Sequence, residues 1–121
     1  MLFSRFRRSL VDAFRGLGHV FRSEQNFRLQ VVAGLLALVA AILFPLQIWE
    51  RILVILLVLL VWLVEILNTV FEYLSDLLKP RLNHYIRIIK DVMAGAVLLT
   101  SLVALIIGFL IFYPHLISLF K

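Results

Sequence analysis

The stretch EILNTVFEYLSD, residues 65–76, sets polar and acidic side chains inside a long apolar segment. At about 100° per residue, Glu65, Asn68, Glu72 and Asp76 fall within an arc of roughly 80°, one stripe of a helix. Residues 52–63 before it are almost wholly apolar, and Leu77 and Leu78 come directly after it. The first carboxylates therefore lie at or below a membrane surface. A carboxylate there costs on the order of 3 kcal/mol and marks a functional site by default. A polar contact between packed helices would explain one such residue, but not four on one stripe.

The chain as a whole has the composition of a membrane protein. Of its 121 residues, 64% are hydrophobic, and the mean hydropathy of +1.09 is too apolar for a soluble domain of this size. There are no cysteines, which excludes a disulfide framework, a thiolate metal site and a thiol nucleophile. Most of the Lys and Arg residues behind the net charge of +5 flank apolar spans. That is membrane-surface charge, and no nucleic-acid partner is expected. Residues 1–121 read as one domain whose thin core would gain from oligomerisation.

Working outward, the expected fold is an all-α integral-membrane helical bundle with three transmembrane helices and an N-terminal amphipathic surface helix. The surface helix covers residues 3–22, where Phe3, Phe6, Leu10, Phe14, Leu17 and Phe21 recur at helical spacing. Arg5, Arg7, Arg8, Arg15 and Arg22 fill much of the rest, as on a helix lying in the headgroup plane. Gly16 and Gly18 are candidates for a bend, and Ser23 is the expected N-cap of the first span. No cleaved leader is expected, because the apolar run begins only near Leu29. The spans are 29–48, 52–78 and 92–117. The first carries a small-residue face of Ala33, Gly34, Ala37, Ala40 and Ala41, and the third a seam of Ala96, Thr100, Ala104 and Gly108. QIWER, residues 47–51, reads as a tight turn, and Pro80 stops the second span. Tyr113, Pro114 and His115 mark the outer end of the third, where the histidine reads as interfacial. His19 and His84 lack a spaced metal partner.

Ten Lys and Arg residues lie before the first span or around the second connection, and only Arg51 and Lys121 lie on the other side. The N-terminus and the second connection are therefore cytoplasmic. Glu24, Glu72, Asp76, Lys90 and Asp91 all gather at that face. Phosphoryl transfer needs carboxylates for a divalent cation, cations for phosphate oxygens and a base for the attacking hydroxyl. Glu65, partly buried, is the candidate base. No GxxxxGK[ST] loop is present, which excludes a P-loop nucleotide site. A small proton-coupled membrane transporter using Glu65 is the main rival reading, and an assembly protein, which leaves Glu65 unexplained, is the third.

ExLNTxxExxxD at 65–76, with KDxxAGAVL after it at 90–98, closely resembles the prokaryotic diacylglycerol kinase family, which includes undecaprenol kinases. FSR at 3–5, FRGL at 14–17 and SEQNFR at 23–28 extend the resemblance over nearly the whole chain. It implies a homotrimeric lipid kinase of the bacterial inner (cytoplasmic) membrane, with sites shared between neighbouring copies, acting on a lipid alcohol with ATP and Mg²⁺. By the family pattern, Glu65 is the proton acceptor and Asn68 helps place the reacting groups. Glu24 and Glu72 bind the metal. Lys90 and Asp91 contact the nucleotide, with Arg5 assisting and Asp76 in support. The chain departs from the pattern at Asp12, Gln30 and Asn83, positions that bear on lipid and adenine contacts. NTVFE and AGAVL resemble the undecaprenol-kinase side of the family, which points to a polyprenol substrate.

The charge count generates a topology test. Cysteines introduced singly at Ser9 and Asn83 should label from the cytoplasm, and one at Gln47 from outside; the opposite pattern would reverse the orientation.

Overall fold

A computed structural model describes residues 1–81 and 83–121. The described residues form four helices and no strand: α1 (Leu2–Ser23), α2 (Gln25–Leu43), α3 (Ile48–Leu78) and α4 (Asn83–Leu119). The last three are long and apolar enough to cross a membrane. The middle member is α3, which packs against α2 and α4, while α1 leans on α2.

The amphipathic pattern of α1 has a direct structural result. Phe3, Phe6, Leu10, Phe14, Leu17 and Phe21 are all exposed, and Val20 is its one buried anchor. An exposed apolar stripe on a strongly basic helix suits the boundary between headgroups and acyl chains. The helix runs unbroken through Gly16 and Gly18, so neither makes a bend. Its break comes at Glu24, which is extended (φ −115°, ψ 112°) and takes the N-cap position of α2. Ser23, the expected cap, is instead the last residue of α1. Arg28 reaches back from α2 and donates to the carbonyls of Phe21 (2.9 Å) and Arg22 (2.7 Å), satisfying the end of α1.

The helix expected over 29–48 begins earlier, at Gln25, and stops at Leu43. Pro45 disfavours a helical conformation at the residue before it, and Phe44 is accordingly extended (φ −79°, ψ 149°). The expected turn over 47–51 is also corrected: only Gln47 lies outside the next helix. It forms a capping box with Glu50, so Ile48 to Arg51 are the first turn of α3. Arg51 donates to the carbonyls of Ala41 (2.9 Å) and Phe44 (3.1 Å), tying the end of α2 to the start of α3. Beside this junction, Ala41, Leu46, Val54, Val58 and Ile111 form the buried core.

The fourth helix is longer than the 92–117 span at both ends. The segment HYIRIIKD is helical, so Lys90 and Asp91 stand on α4 itself and not on a loop leading to it. Pro114 sits inside the helix, which continues to Leu119. His115 is more than interfacial: its Nε2 lies 3.3 Å from Glu50 Oε1, joining the end of α4 to the start of α3.

The small-residue face of α2 works as expected at Gly34. A Cβ there would lie 2.7 Å from Trp62 Cζ2 and Nε1 and 2.8 Å from Val58 Cγ1. Adding a methyl at such a contact costs about 1–3 kcal/mol. At Gly16 nothing lies within 4 Å, and alanine there should favour the helix by about 0.5–1 kcal/mol. Gly34→Ala should therefore lower the thermal midpoint in detergent micelles while Gly16→Ala leaves it level or raises it; equal behaviour of the two variants would refute the close approach.

Candidate active site

The polar stripe on α3 becomes one wall of a cavity of about 470 Å³ between α2, α3 and α4. Glu65, Asn68 and Glu72 line it from α3, Asn26 and Gln30 from α2, and Lys90 and Ser101 from α4. Glu65 is only 1% exposed, and Thr69 one turn later is fully buried and donates to the Glu65 carbonyl at 3.1 Å. Glu65 Oε2 and Gln30 Oε1 are buried with no hydrogen-bond partner among the described residues. Two buried acceptors in one cavity call for a donor, and a hydroxyl can supply it.

Nearer the mouth, Asn68 Nδ2 donates to Glu72 Oε1 at 3.2 Å and so orients that carboxylate. Glu24 faces it from the α1–α2 joint. Partial burial and then the like charge of Glu72 hold the Glu24 carboxyl above its usual range, against a smaller pull from Arg28. Asp76, the last residue of the stripe, is exposed and does not line the cavity. Its Oδ1 lies 3.5 Å from Lys90 Nζ and 3.7 Å from Lys79 Nζ, so it holds the cavity lysine by ion pairing. Arg5 and Asp91 are exposed, and neither lines the cavity of a single chain.

No group of three or more His, Asp or Glu side chains that could hold a metal ion occurs among the described residues. The facing pair Glu24 and Glu72 still fits Mg²⁺, which takes one or two carboxylates and completes its shell with water and substrate phosphates. A second concavity, an apolar groove of about 380 Å³, adjoins the first and shares Gln30 and Ser101 with it. Gly34, Ala37, Ala104 and Gly108 open that groove, and Trp62 walls it while donating to the Gln30 carbonyl at 2.9 Å.

Sequence reasoning singled out the acidic residues but missed Asn26, Ser101 and Trp62, and it noted Gln30 only as a departure. Polar residues inside spans are the signal that could have found Gln30 and Ser101. Nothing local marks the pairing of His19 with Tyr73, whose Nε2 and hydroxyl are 3.0 Å apart across 54 positions.

The raised Glu24 has a pH consequence. The folded state holds its proton more tightly than the unfolded chain, so the associated stability is present below the ordinary carboxylate range and is lost as pH rises through the raised value. In chelator, the thermal midpoint of the parent should fall over that window, and Glu24→Gln should remove this part of the slope. An unchanged slope in Glu24→Gln would assign it to other groups.

The sequence profile of prokaryotic diacylglycerol kinase matches residues 11–112. The undecaprenol kinase of Bacillus subtilis (strain 168) is 35% identical over 113 residues, covering 93% of this chain and 92% of the relative. The diacylglycerol kinase of Escherichia coli (strain K12) is 32% identical over 113 residues, covering 93% of each. That of Synechocystis is 35% identical over 108 residues, 88% of this chain but 62% of the longer relative. A match that runs from the middle of the surface helix through most of α4 and takes in every residue lining the cavity shows that the chain belongs to the prokaryotic diacylglycerol kinase family.

Proposed function

We propose that this protein transfers the γ-phosphoryl group of ATP to the hydroxyl of a polyprenol at the cytoplasmic face of the bacterial inner membrane. Membership of the family makes it a multi-pass membrane lipid kinase, a phosphotransferase with an alcohol acceptor and a nucleotide donor. The observation that carries the finer reading is the buried Glu65 with its unpartnered Oε2, in the cavity it lines with Asn68, Glu72 and Lys90. Transport, the rival expectation, gains no support from the relatives.

In this reading a lipid hydroxyl donates to Glu65 Oε2, which takes its proton as the oxygen attacks the γ-phosphorus of ATP; the bond from that phosphorus to the β,γ-bridging oxygen breaks and ADP leaves. Asn68 keeps Glu72 aimed at the mouth, and Lys90, held by Asp76, neutralises phosphate oxygens. Glu24 and Glu72 would hold Mg²⁺, which supplies charge neutralisation and orients the phosphates. The apolar groove gives the hydrocarbon chain a seat directly beside the cavity. The NTVFE and AGAVL motifs and the undecaprenol kinase relative support a polyprenol over a diacylglycerol. Arg5 and Asp91 lie off the cavity of their own chain, and a homotrimer would let a neighbouring copy bring them to the nucleotide. Broad exposed apolar surface on α3 and α4, with Leu59, Leu99 and Leu110 more than half exposed, supports such packing or lipid contact.

Labelled phosphate transfer from ATP to undecaprenol and to diacylglycerol, assayed in parallel, should favour undecaprenol. Glu65→Gln should lose about 10²- to 10⁴-fold in kcat with near-parental nucleotide binding. Glu24→Gln and Glu72→Gln should abolish transfer, and Lys90→Ala should mainly raise the ATP requirement. Parent-like transfer by Glu65→Gln would sink the base assignment, and a preference for diacylglycerol would sink the substrate.

A further inference from the structure

We propose that Tyr73 is a positioning residue for Glu24, acting through a directed hydrogen-bond chain that fastens the α1–α2 joint to α3. The chain runs His19, Tyr73, Ser23, Val20. Ser23 Oγ lies 3.4 Å from the Val20 carbonyl, which can only accept, so the Ser23 hydrogen is committed there. Ser23 must then accept from the Tyr73 hydroxyl at 3.1 Å. With its own hydrogen committed, the Tyr73 oxygen accepts from His19 Nε2–H at 3.0 Å. The imidazole and phenol rings stand 5.8 Å apart in a tilted arrangement that suits this bond. The backbone amide of Glu24 donates to the same Val20 oxygen at 2.9 Å. The side-chain relay and the Glu24 backbone thus converge on one buried residue.

The joint needs such a tie. Glu24 is a single extended residue between two helices, and its N-cap position has no side-chain cap bond of its own. Arg28 fastens the end of α1 to α2, not to α3. Tyr73 supplies two side-chain hydrogen bonds that link the joint to α3, one to His19 and one to Ser23. Tyr73 comes directly after Glu72, so one turn of α3 presents the carboxylate that faces Glu24 and the phenol that holds the residue before Glu24. Their spacing is thereby set from a single element. Free rotation at the joint would leave two like-charged carboxylates to swing apart, and a divalent ion would have to draw them together on binding. Nothing in the relay touches the lipid end of the cavity.

The positioning role of Tyr73 rests on the reading that Glu24 and Glu72 hold a divalent cation, and its test separates the two. Mn²⁺ binding to the full-length protein in micelles is followed by electron paramagnetic resonance. Tyr73→Phe and Ser23→Ala should each weaken Mn²⁺ binding by about 3- to 10-fold, the range of one neutral hydrogen bond. Their double variant should be no weaker than either alone, because both break one relay. Ser23→Thr, which keeps the hydroxyl, should restore most of the affinity. The KM for the lipid alcohol should not move, and trypsin should cut faster after Arg22 in Tyr73→Phe. Parent-like Mn²⁺ affinity in Tyr73→Phe, with Glu24→Gln weakened, overturns the positioning role and leaves the metal reading standing. Mn²⁺ bound equally well by Glu24→Gln overturns the metal reading, and a parent-like trypsin rate in Tyr73→Phe then overturns the tie itself.

Discussion

The close approach of α2 to α3 at Gly34 sets the register of everything on the cytoplasmic side. Trp62 occupies the space a side chain at residue 34 would need, and its indole also bonds the carbonyl of Gln30 one turn away. The two helices are antiparallel. Stepping back along α2 from Gly34 to Gln30 to Glu24 therefore matches stepping forward along α3 from Trp62 to Glu65 to Glu72. Slide one helix by a residue and the unpartnered oxygens of Gln30 and Glu65 no longer meet in one cavity, nor do the two outer carboxylates face. Gly34 and Trp62 lie outside the polar cavity, yet the cavity's geometry is inherited from their contact.

Polar groups are segregated along the bundle according to whether they are satisfied. At the end opposite the cavity, Gln47, Glu50, Arg51 and His115 are paired with backbone or with one another. At the cavity, Asn68 with Glu72 and Asp76 with Lys90 are paired, while the deepest carboxylate keeps an oxygen without a partner. Burying an acceptor without a donor costs roughly 1–3 kcal/mol. Among the described residues that cost falls on two atoms, Glu65 Oε2 and Gln30 Oε1, and both line the cavity, where the hydroxyl of the proposed lipid substrate would supply the donor.

Much of this was legible in the sequence because helical period and charge are local signals. The surface helix, three spans, and the convergence of Glu65, Asn68 and Glu72 on one face are consequences of spacing alone. Helix ends were less legible. Pro45 stops α2 before the apolar composition changes, and the capping box of Gln47 and Glu50 draws into α3 residues that read as a turn. Spatial pairings were not legible at all: nothing near His115 announces Glu50, and nothing near Ser23 announces Tyr73. The positions of Asp91 and Arg5 off the cavity escaped for a related reason, since family resemblance assigns a role to a residue without placing it in space.

Arg51 has a bearing on how the chain is made. The carbonyls of Ala41 and Phe44, at the end of α2, receive their hydrogen bonds from a side chain in the first turn of α3. During synthesis α2 emerges before that side chain exists, with polar backbone ends that an apolar surrounding cannot satisfy. The smallest segment in which the end of α2 finds these donors is the α2–α3 hairpin, and in this respect the natural unit of insertion is a pair of helices delivered together.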